Sequence, residues 1–197
     1  MKLLLATHNE HKRRELERLL GRSSTAGWEI DVLPDSVVMP PEDGETFAEN
    51  ALGKARAAAL ATGRVSIADD SGIAAAALDG APGVRSARYA GEQASDEENL
   101  EKLLREAPAG SALEYVCAIA HVDPASGAEQ LFEGRCSGRL AAEPKGHGGF
   151  GYDPAFLADD GPPGMTMAEL SDEQKDAISH RGRAARALLQ WLEEGSV

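Results

Sequence analysis

Two adjacent carboxylates, Asp69 and Asp70, occur in the stretch Ile67-Ala-Asp-Asp-Ser-Gly72. Residues 65–68 are typical of the end of a buried strand, because β-branched residues lead into a Ser-Gly breaker. Ligands collect at the carboxyl ends of strands in open α/β sheets, where paired carboxylates could bind a hard cation or supply a general base. The alternative is a surface turn, since Asp, Ser and Gly all favour turns.

More carboxylates surround the start of a predicted helix. Thr46-Phe-Ala-Glu49 fits the Ser/Thr-x-x-Glu capping box, so a helix should run from Phe47 to about Ala61, with Asn50 and Lys54 on one face. The loop and first turn carry three acids, Glu42, Glu45 and Glu49. A loop carboxylate facing Asp70 would complete a metal site, whereas acidic loops are usually only solvated.

The segment Thr7-His-Asn-Glu-His-Lys12 connects a predicted strand at residues 3–6 to a predicted helix at residues 13–20. A helix N-terminus offers unpaired N–H groups and partial positive charge to an anion, and Lys12, Arg13 and Arg14 add mobile charge. The segment therefore predicts a triphosphate cradle. A solvated helix start is the alternative.

A glycine-rich loop extends from Lys145 to Pro154 and carries Phe150, Tyr152 and Asp153. It matches G-x-G-x-x-G formally but lacks the strand and helix of a dinucleotide site, and Pro154 favours an extended continuation. Aromatic rings beside closely approaching backbone suit stacking on a purine. The alternative is a hinge whose aromatic rings lie in the core.

A second group of basic residues follows another capping box, Ser171-Asp-Glu-Gln174. The helical region that it starts contains Lys175, His180 and Arg181, which could bind phosphate or read a base edge. A solvated helix end is the alternative.

The remaining elements indicate a mixed α/β sheet. Residues 28–33 suggest a second strand, and Ser95-Asp-Glu-Glu98 is a further capping box that opens a helix. Residues 113–122 and 130–136 are predicted strands joined by a short turn, so they should pair antiparallel. Cys117, within the first of them, is most simply a small core residue.

Composition excludes several classes of protein. The chain has 197 residues and a formal net charge of −13, which disfavours binding of a nucleic acid polymer through its phosphates. No stretch approaches the length of a membrane span, and the first apolar run is too short for a signal peptide. The two cysteines lack metal-site or redox spacing. We therefore expect a single domain over residues 1–197 in the cytoplasm.

Six segments, in order, resemble the motifs of the inosine/xanthosine triphosphate pyrophosphatase family: LLLATHNEHKRREL, EDGETFAENALGKA, IADDSG, GAPGVRSARYAG, GGFGYDPAF and AELSDEQKDAISHRG. The resemblance implies an elongated central sheet flanked by helices, two lobes with a cleft between them, and a homodimer. It also implies that ITP, dITP and XTP are hydrolysed with Mg²⁺ to the monophosphate and pyrophosphate, which removes deaminated purines from the nucleotide pool.

The resemblance also implies roles for individual residues. Glu42 and Asp70 correspond to the metal-binding acids, and Asp70 also to the general base; Asp69, Glu45 and Glu49 are close enough to share the metal role. Phosphate contacts are expected from the first loop and one lysine, namely Thr7, His8, Asn9, Glu10, His11, Lys12 and Lys54. Other substrate contacts are expected from Ser71, Phe150, Gly151, Tyr152, Asp153, Lys175, His180 and Arg181.

Two other functions compete with this interpretation. A related pyrophosphatase of similar fold acts on pyrimidine or modified nucleotides, but it is not expected to carry the FGYDP and SHRG stretches together. A nucleotide-binding regulator without turnover is the second alternative, and the acids at Glu42 and Asp70 argue against it.

Overall fold

The computed structural model describes residues 2–21 and 29–195. A six-stranded sheet has the order β2-β1-β3-β4-β5-β6. Its strands are β1 (Lys2–Leu5), β2 (Glu29–Val32), β3 (Ser66–Ala75), β4 (Ala112–Val122), β5 (Glu129–Leu140) and β6 (Phe156–Ala158). Strand β1 pairs parallel with β2 and β3, whereas β6 pairs antiparallel with β5. The predicted mixed α/β fold is confirmed.

Five α-helices are present in the described ranges: α1 (Glu10–Gly21), α2 (Phe47–Thr62), α3 (Asp96–Glu106), α4 (Asp172–Ile178) and α5 (His180–Glu194). The capping boxes predicted at Thr46, Ser95 and Ser171 all form, and they fix the starts of α2, α3 and α4. In each box the hydroxyl accepts from the third backbone N–H, while the third side chain accepts from the capping residue. Within the described residues, no helix is both long and apolar enough to span a membrane.

The chain divides into two compact units. Unit 1 comprises residues 1–70, 117–134 and 183–197, and unit 2 comprises residues 71–116 and 135–182. Within unit 1, Leu3 and Leu5 pack with apolar residues of α1 and α5, while Leu4 and Ala6 pack with alanines of α2. Successive side chains of a strand point to opposite faces, so α2 covers one face of β1 and the other two helices cover the opposite face. The predicted core position of Cys117 is confirmed.

The core of unit 2 is built around the later part of β3, the first part of β4 and helix α3. Leu100 and Leu103 present the apolar face of α3 to Ile73 and Tyr115, among other residues. The acidic residues of α3 lie in its first turn, where they complement the helix dipole. Helix α3 therefore packs on the core of unit 2 through its apolar face.

Strand β3 differs from the sequence prediction. The strand does not end at Ala68 but runs for ten residues, so Asp69 and Asp70 lie within it instead of beyond its end. Gly72 does not break the strand, because buried apolar residues continue on its far side and the Ile73 amide donates to the Ser86 hydroxyl at 2.9 Å. A local Ser-Gly signal is thereby outweighed by tertiary contacts.

His121 gives unit 1 a dependence of stability on pH. The side chain is 4% exposed, and its ring packs edge-on against Trp191 with 4.9 Å between centroids. Burial lowers the pKa of His121, although the Asp123 carboxylate acts in the opposite direction. The unfolded chain therefore binds a proton first as the pH falls below about 6.5, and stability is lost until the lower folded pKa is passed.

Replacing the imidazole should weaken this dependence. His121→Phe keeps a ring against Trp191 and should remove up to about 1.4 kcal/mol per pH unit from the slope of unfolding free energy below pH 6.5. Urea denaturation at a series of pH values measures that slope. His147, which is exposed, supplies the control His147→Phe, and an equal slope in wild type and the His121 variant would contradict the assignment.

Candidate functional site

Three carboxylates and two ammonium groups meet in unit 1, and we call them the acid–lysine cluster: Glu42, Asp69, Asp70, Lys12 and Lys54. The Lys54 Nζ atom lies 2.6 Å from Glu42 Oε1 and 3.2 Å from Asp70 Oδ1. The Lys12 Nζ atom lies 3.4 Å from Asp69 Oδ2 and 3.9 Å from Asp70 Oδ1. The structure thus brings together the two acids that sequence assigned to a metal and two lysines assigned to phosphate.

The aspartates and lysines of the cluster are carried by one buried strand and two helices. Asp69 and Asp70 are 1% and 4% exposed inside β3, and a buried carboxylate needs a partner to remain ionised. Helix α1 supplies one lysine and helix α2 the other. The two lysines offset most of the charge of the three acids and leave an excess of one negative charge.

Asn50 was not predicted as a site residue. Its Nδ2 donates to Asp70 Oδ2 at 3.0 Å, and its Oδ1 accepts from the Gly44 N–H at 2.9 Å. One amide therefore connects the loop that bears Glu42 to the buried Asp70. The signal was the four-residue spacing of Asn50 and Lys54, which places both side chains on one face of α2.

The environment shifts the pKa values of two members of the cluster. Burial raises the pKa of Asp70, and the Glu42 charge acts in the same direction, whereas Lys54 and Lys12 act against it. Burial acts to lower the pKa of Lys54, but the neighbouring carboxylates outweigh it and the pKa is raised. Lys54 is therefore a fixed positive charge, and Asp70 is a more basic carboxylate than an exposed aspartate.

Glu45 and Glu49 lie outside the cluster. The Glu49 carboxylate accepts from the Glu45 and Thr46 backbone N–H groups at 2.8 and 3.1 Å, which completes the cap of α2. Glu45 itself is exposed. The arrangement favours Glu42 over both as the loop carboxylate that faces Asp70.

The chemistry of the cluster fits a divalent cation shared with a ligand. The carboxylate oxygens of Glu42 and Asp70 are hard donors, and the excess negative charge favours a cation. No set of three or more His, Cys, Asp or Glu side chains forms a complete metal cage in residues 2–21 and 29–195. Two carboxylates with the remaining ligands from phosphate and water match the way in which Mg²⁺ is usually bound.

The first loop is shorter than the sequence predicts, because α1 begins at Glu10 and not at Arg13. Asn9 caps the helix: its Oδ1 accepts from the backbone N–H groups of His11 and Lys12, both at 3.0 Å. The Thr7 hydroxyl in turn accepts from the Asn9 N–H at 3.1 Å. Two of the helix N–H groups that a phosphate could use are therefore already bonded.

The other side chains of this segment are exposed. His8 Nε2 lies 3.4 Å from the Val37 carbonyl oxygen, and Glu10 pairs with Arg14 at 3.2 Å. Of the six predicted residues, Lys12 reaches the cluster, and it does so from the first turn of α1.

In unit 2, Asp153 is the centre of a second polar group. Its Oδ2 accepts from Lys175 Nζ at 2.5 Å and from the Phe150 N–H at 2.9 Å, and its Oδ1 accepts from the Tyr115 hydroxyl at 3.1 Å. The carboxylate and the ammonium are both buried. This ion pair ties the glycine-rich loop to helix α4.

Phe150 lies under two cations of the same unit. Lys175 Nζ is 5.2 Å and Arg181 Cζ is 5.5 Å from the centroid of its ring, distances at which cation–π attraction operates. The Phe150 side chain is partly exposed, in contrast to the buried cations. The ring is therefore fixed and still has surface available for stacking.

Arg181, His180 and Ser71 also belong to unit 2. Arg181 is 1% exposed and donates from Nη2 to the Ser71 hydroxyl at 2.7 Å. The His180 ring stacks on Tyr115 at 4.4 Å between centroids, with 5° between the ring planes. Neither basic side chain is a solvated helix end.

Tyr152 and Gly151 have different surroundings from Phe150. Tyr152 is buried in the core, where its hydroxyl donates to the Ser86 carbonyl at 2.7 Å, and the Gly151 N–H donates to Asp96 Oδ2 at 3.0 Å.

The extended continuation that Pro154 predicted for this loop is wrong. Residues 153–155 form a 3₁₀ turn, and its Ala155 N–H bonds to the Tyr152 carbonyl before β6 begins.

Comparison with known proteins agrees with the motifs. The sequence model described as the Ham1 family matches residues 3–191. The chain is 48% identical to a dITP/XTP pyrophosphatase of Mycolicibacterium paratuberculosis, with 97% of this chain and 95% of that protein covered. It is 47% identical to a dITP/XTP pyrophosphatase of Frankia alni, with 98% of each covered.

Solved structures show the same fold. A HAM1 protein from Coxiella burnetii matches with a TM-score of 0.87 at 39% identity, and 98% of this chain and 99% of that chain are covered. A nucleoside-triphosphatase / dITP/XTP pyrophosphatase from Mycobacterium abscessus matches with a TM-score of 0.73 at 44% identity, with 98% and 100% covered. The resemblance noted in the sequence is confirmed.

Two glycines of the loop provide a matched test of the Asp153–Lys175 pair. Both Gly149 and Gly151 have positive φ, +67° and +62°. A Cβ on Gly149 would overlap Asp153 Oδ2 and lie 2.9 Å from Lys175 Nζ, whereas a Cβ on Gly151 would meet nothing within 4 Å. The two substitutions therefore share backbone strain but differ in steric conflict with the buried pair.

Gly151→Ala should lower the free energy of unfolding by about 1 kcal/mol, the usual cost of the left-handed region for an alanine. Gly149→Ala should cost roughly 2 kcal/mol more, because the ion pair must move apart or the loop must shift. Chemical denaturation measures both losses. Equal losses for the two variants would show that the pair does not constrain the loop.

Proposed function

Because the chain belongs to the Ham1 family, we propose that it hydrolyses dITP, ITP and XTP to the nucleoside monophosphate and pyrophosphate. The observation that carries this proposal is the acid–lysine cluster, in which Lys54 bonds to both Glu42 and Asp70. Hydrolysis of a metal-bound triphosphate requires carboxylates for the cation and fixed ammonium groups for the phosphates. Relatives named dITP/XTP pyrophosphatase support the choice of substrate.

In the proposed reaction, a water oxygen forms a bond to the α-phosphorus as the bond to the bridging oxygen of pyrophosphate breaks. Asp70 accepts the proton of that water. The amide of Asn50 fixes the orientation of the Asp70 carboxylate. Lys12 and Lys54 stabilise the negative charge that develops on the departing pyrophosphate.

Glu42 and Asp70 are the residues proposed to hold Mg²⁺. When bound, the ion would neutralise the triphosphate and polarise the α-phosphoryl group. Lys54 already contacts both acids, so it keeps the two carboxylates together. We also propose, from the family resemblance, that the protein is a cytoplasmic homodimer.

The second polar group is proposed to bind the base. The Phe150 ring offers a stacking surface, and His180 and Arg181 are basic groups suited to the 6-oxo edge of hypoxanthine or xanthine. Adenine presents an amino group at that position, which would leave buried donors unpaired and supports discrimination of roughly 10⁴ or more. Guanine shares the 6-oxo group, so its rejection must depend on the 2-position.

The relatives' names give no support to the pyrimidine alternative.

Magnesium-dependent release of pyrophosphate from ITP, XTP, GTP, ATP, dTTP and UTP tests the proposed reaction. We expect turnover of ITP and XTP and little of the others. Asp70→Asn should lower kcat by about 10²-fold to 10⁴-fold, because the general base is lost while the shape is kept. Folded protein that releases pyrophosphate from none of the purine nucleotides would reject the activity, and preferential pyrimidine turnover would reassign it.

The metal proposal has its own test. Chelation with EDTA should abolish turnover, and added Mg²⁺ should restore it. Glu42→Gln should raise the Mg²⁺ concentration needed for half-maximal activity by about tenfold or more, because a coordinating oxygen loses its charge. Glu45→Gln, in the same loop but outside the cluster, is the matched control. A Glu42 variant with the Mg²⁺ requirement of wild type would remove Glu42 from the site.

A further inference from the structure

Tyr115 contacts two residues that are proposed to bind the base, although sequence analysis did not single it out. It lies in β4 and is 6% exposed. Its hydroxyl donates to Asp153 Oδ1 at 3.1 Å, and its ring stacks on His180 with 4.4 Å between centroids and 5° between planes. One side chain therefore joins the glycine-rich loop to the first residue of α5.

The hydroxyl fixes the orientation of the Asp153 carboxylate. Asp153 Oδ2 is already occupied by Lys175 Nζ at 2.5 Å and by the Phe150 N–H at 2.9 Å. With Tyr115 on the other oxygen, the carboxylate is held from both sides. The Asp153 carboxylate in turn holds the backbone that carries the Phe150 ring.

The ring of Tyr115 fixes the plane of His180. A near-parallel stack at this distance restricts rotation of the imidazole about its own side-chain bonds. Tyr115 is itself held by Phe156, whose ring lies at 4.6 Å and 42°. The plane of the imidazole is therefore held parallel to a ring that is itself packed.

We propose that Tyr115 is a positioning residue that determines base specificity, because it holds the His180 ring that is proposed to face the 6-oxo edge and, through Asp153, the loop that carries Phe150. This inference depends on the proposed function. Discrimination by hydrogen bonds requires that donors stay in place, and a displacement of about 1 Å can cost roughly 10²-fold in rate. Tyr115 acts through its neighbours and is not assigned any contact with substrate.

Two substitutions separate the contacts. Tyr115→Phe removes the hydrogen bond to Asp153 and keeps the stack on His180, whereas Tyr115→Leu removes both. Tyr115→Phe should raise KM for ITP by about tenfold with little change in kcat, since base binding is weakened equally before and at the transition state. ATP would stack on the same ring, so its KM should rise in parallel in Tyr115→Phe. The ratio of kcat/KM for ITP to that for ATP should therefore stay close to wild type in Tyr115→Phe and fall about tenfold in Tyr115→Leu, which also releases the His180 ring.

The matched control is Tyr89→Phe. Tyr89 lies in the same unit, and its hydroxyl bonds to Glu106, so the substitution removes one tyrosine hydrogen bond away from Asp153 and His180. It should leave the ITP-to-ATP ratio unchanged. Comparison of Tyr89→Phe with the Tyr115 variants then separates the effect of a lost hydrogen bond on stability from the effect of lost positioning.

A second readout reports on the ring directly. In ¹H–¹³C spectra of histidine-labelled protein, with the His180 resonance assigned from His180→Gln, Tyr115→Leu should shift the His180 ring signals because the stacked ring is lost. Tyr115→Phe should leave them close to wild type. The measurement needs no substrate, and the same spectra show whether each variant remains folded.

The outcomes are distinct for the two proposals. Wild-type protein that does not hydrolyse ITP would reject the proposed function and this inference with it. Wild-type turnover of ITP, together with a folded Tyr115→Leu variant whose ITP-to-ATP ratio stays within twofold of wild type, would reject the inference alone.

Discussion

Two carboxylates in the middle of a buried strand constrain the structure around them. An ionised side chain removed from water is stable only if opposite charge and hydrogen bonds replace the solvent, so Asp69 and Asp70 require Lys12, Lys54 and Asn50 nearby. Asn9 caps α1, and the Thr46 capping box caps α2. These caps matter for the buried aspartates because they set where each helix begins. The geometry proposed for catalysis is in this sense the geometry that allows β3 to be buried.

The same requirement shapes the second unit in another way. Asp153 and Lys175 form a buried pair, but the third partner is a tyrosine hydroxyl and the fourth a backbone N–H. Phosphate binding, as proposed for the first unit, needs charge above all, and Lys12 and Lys54 supply it. Base reading needs fixed directions, and the ring and hydroxyl of Tyr115 fix those of His180 and of the loop that carries Phe150. The two polar groups therefore differ in composition because their proposed ligands differ.

Features encoded by neighbouring residues could be predicted from the sequence, and features that depend on distant partners could not. Three capping boxes gave the starts of α2, α3 and α4, because the hydrogen bonds that define them span three residues. The end of β3 was misplaced because Ser71-Gly72 is a local turn signal, whereas the contact that keeps the strand extended comes from Ser86. Tyr115 in an apolar strand gave no sign of its hydroxyl partner in the glycine-rich loop. The motif resemblance supplied Glu42, Asp70 and His180 as site residues; the structure added how they are held.

The lengths of the strands bear on solubility during folding. An open sheet presents unpaired backbone groups at its two ends, and long flat end strands recruit other chains. Here the strands at the ends of the described sheet, β2 and β6, span four and three residues, whereas β3, β4 and β5 span ten to twelve. The end strand β2 also carries Glu29 and Asp31 in ion pairs with Lys2 and Arg64, so charge lies along it. The long strands that hold the site are thus shielded inside the sheet, and the ends that other molecules could approach offer a poor template for aggregation.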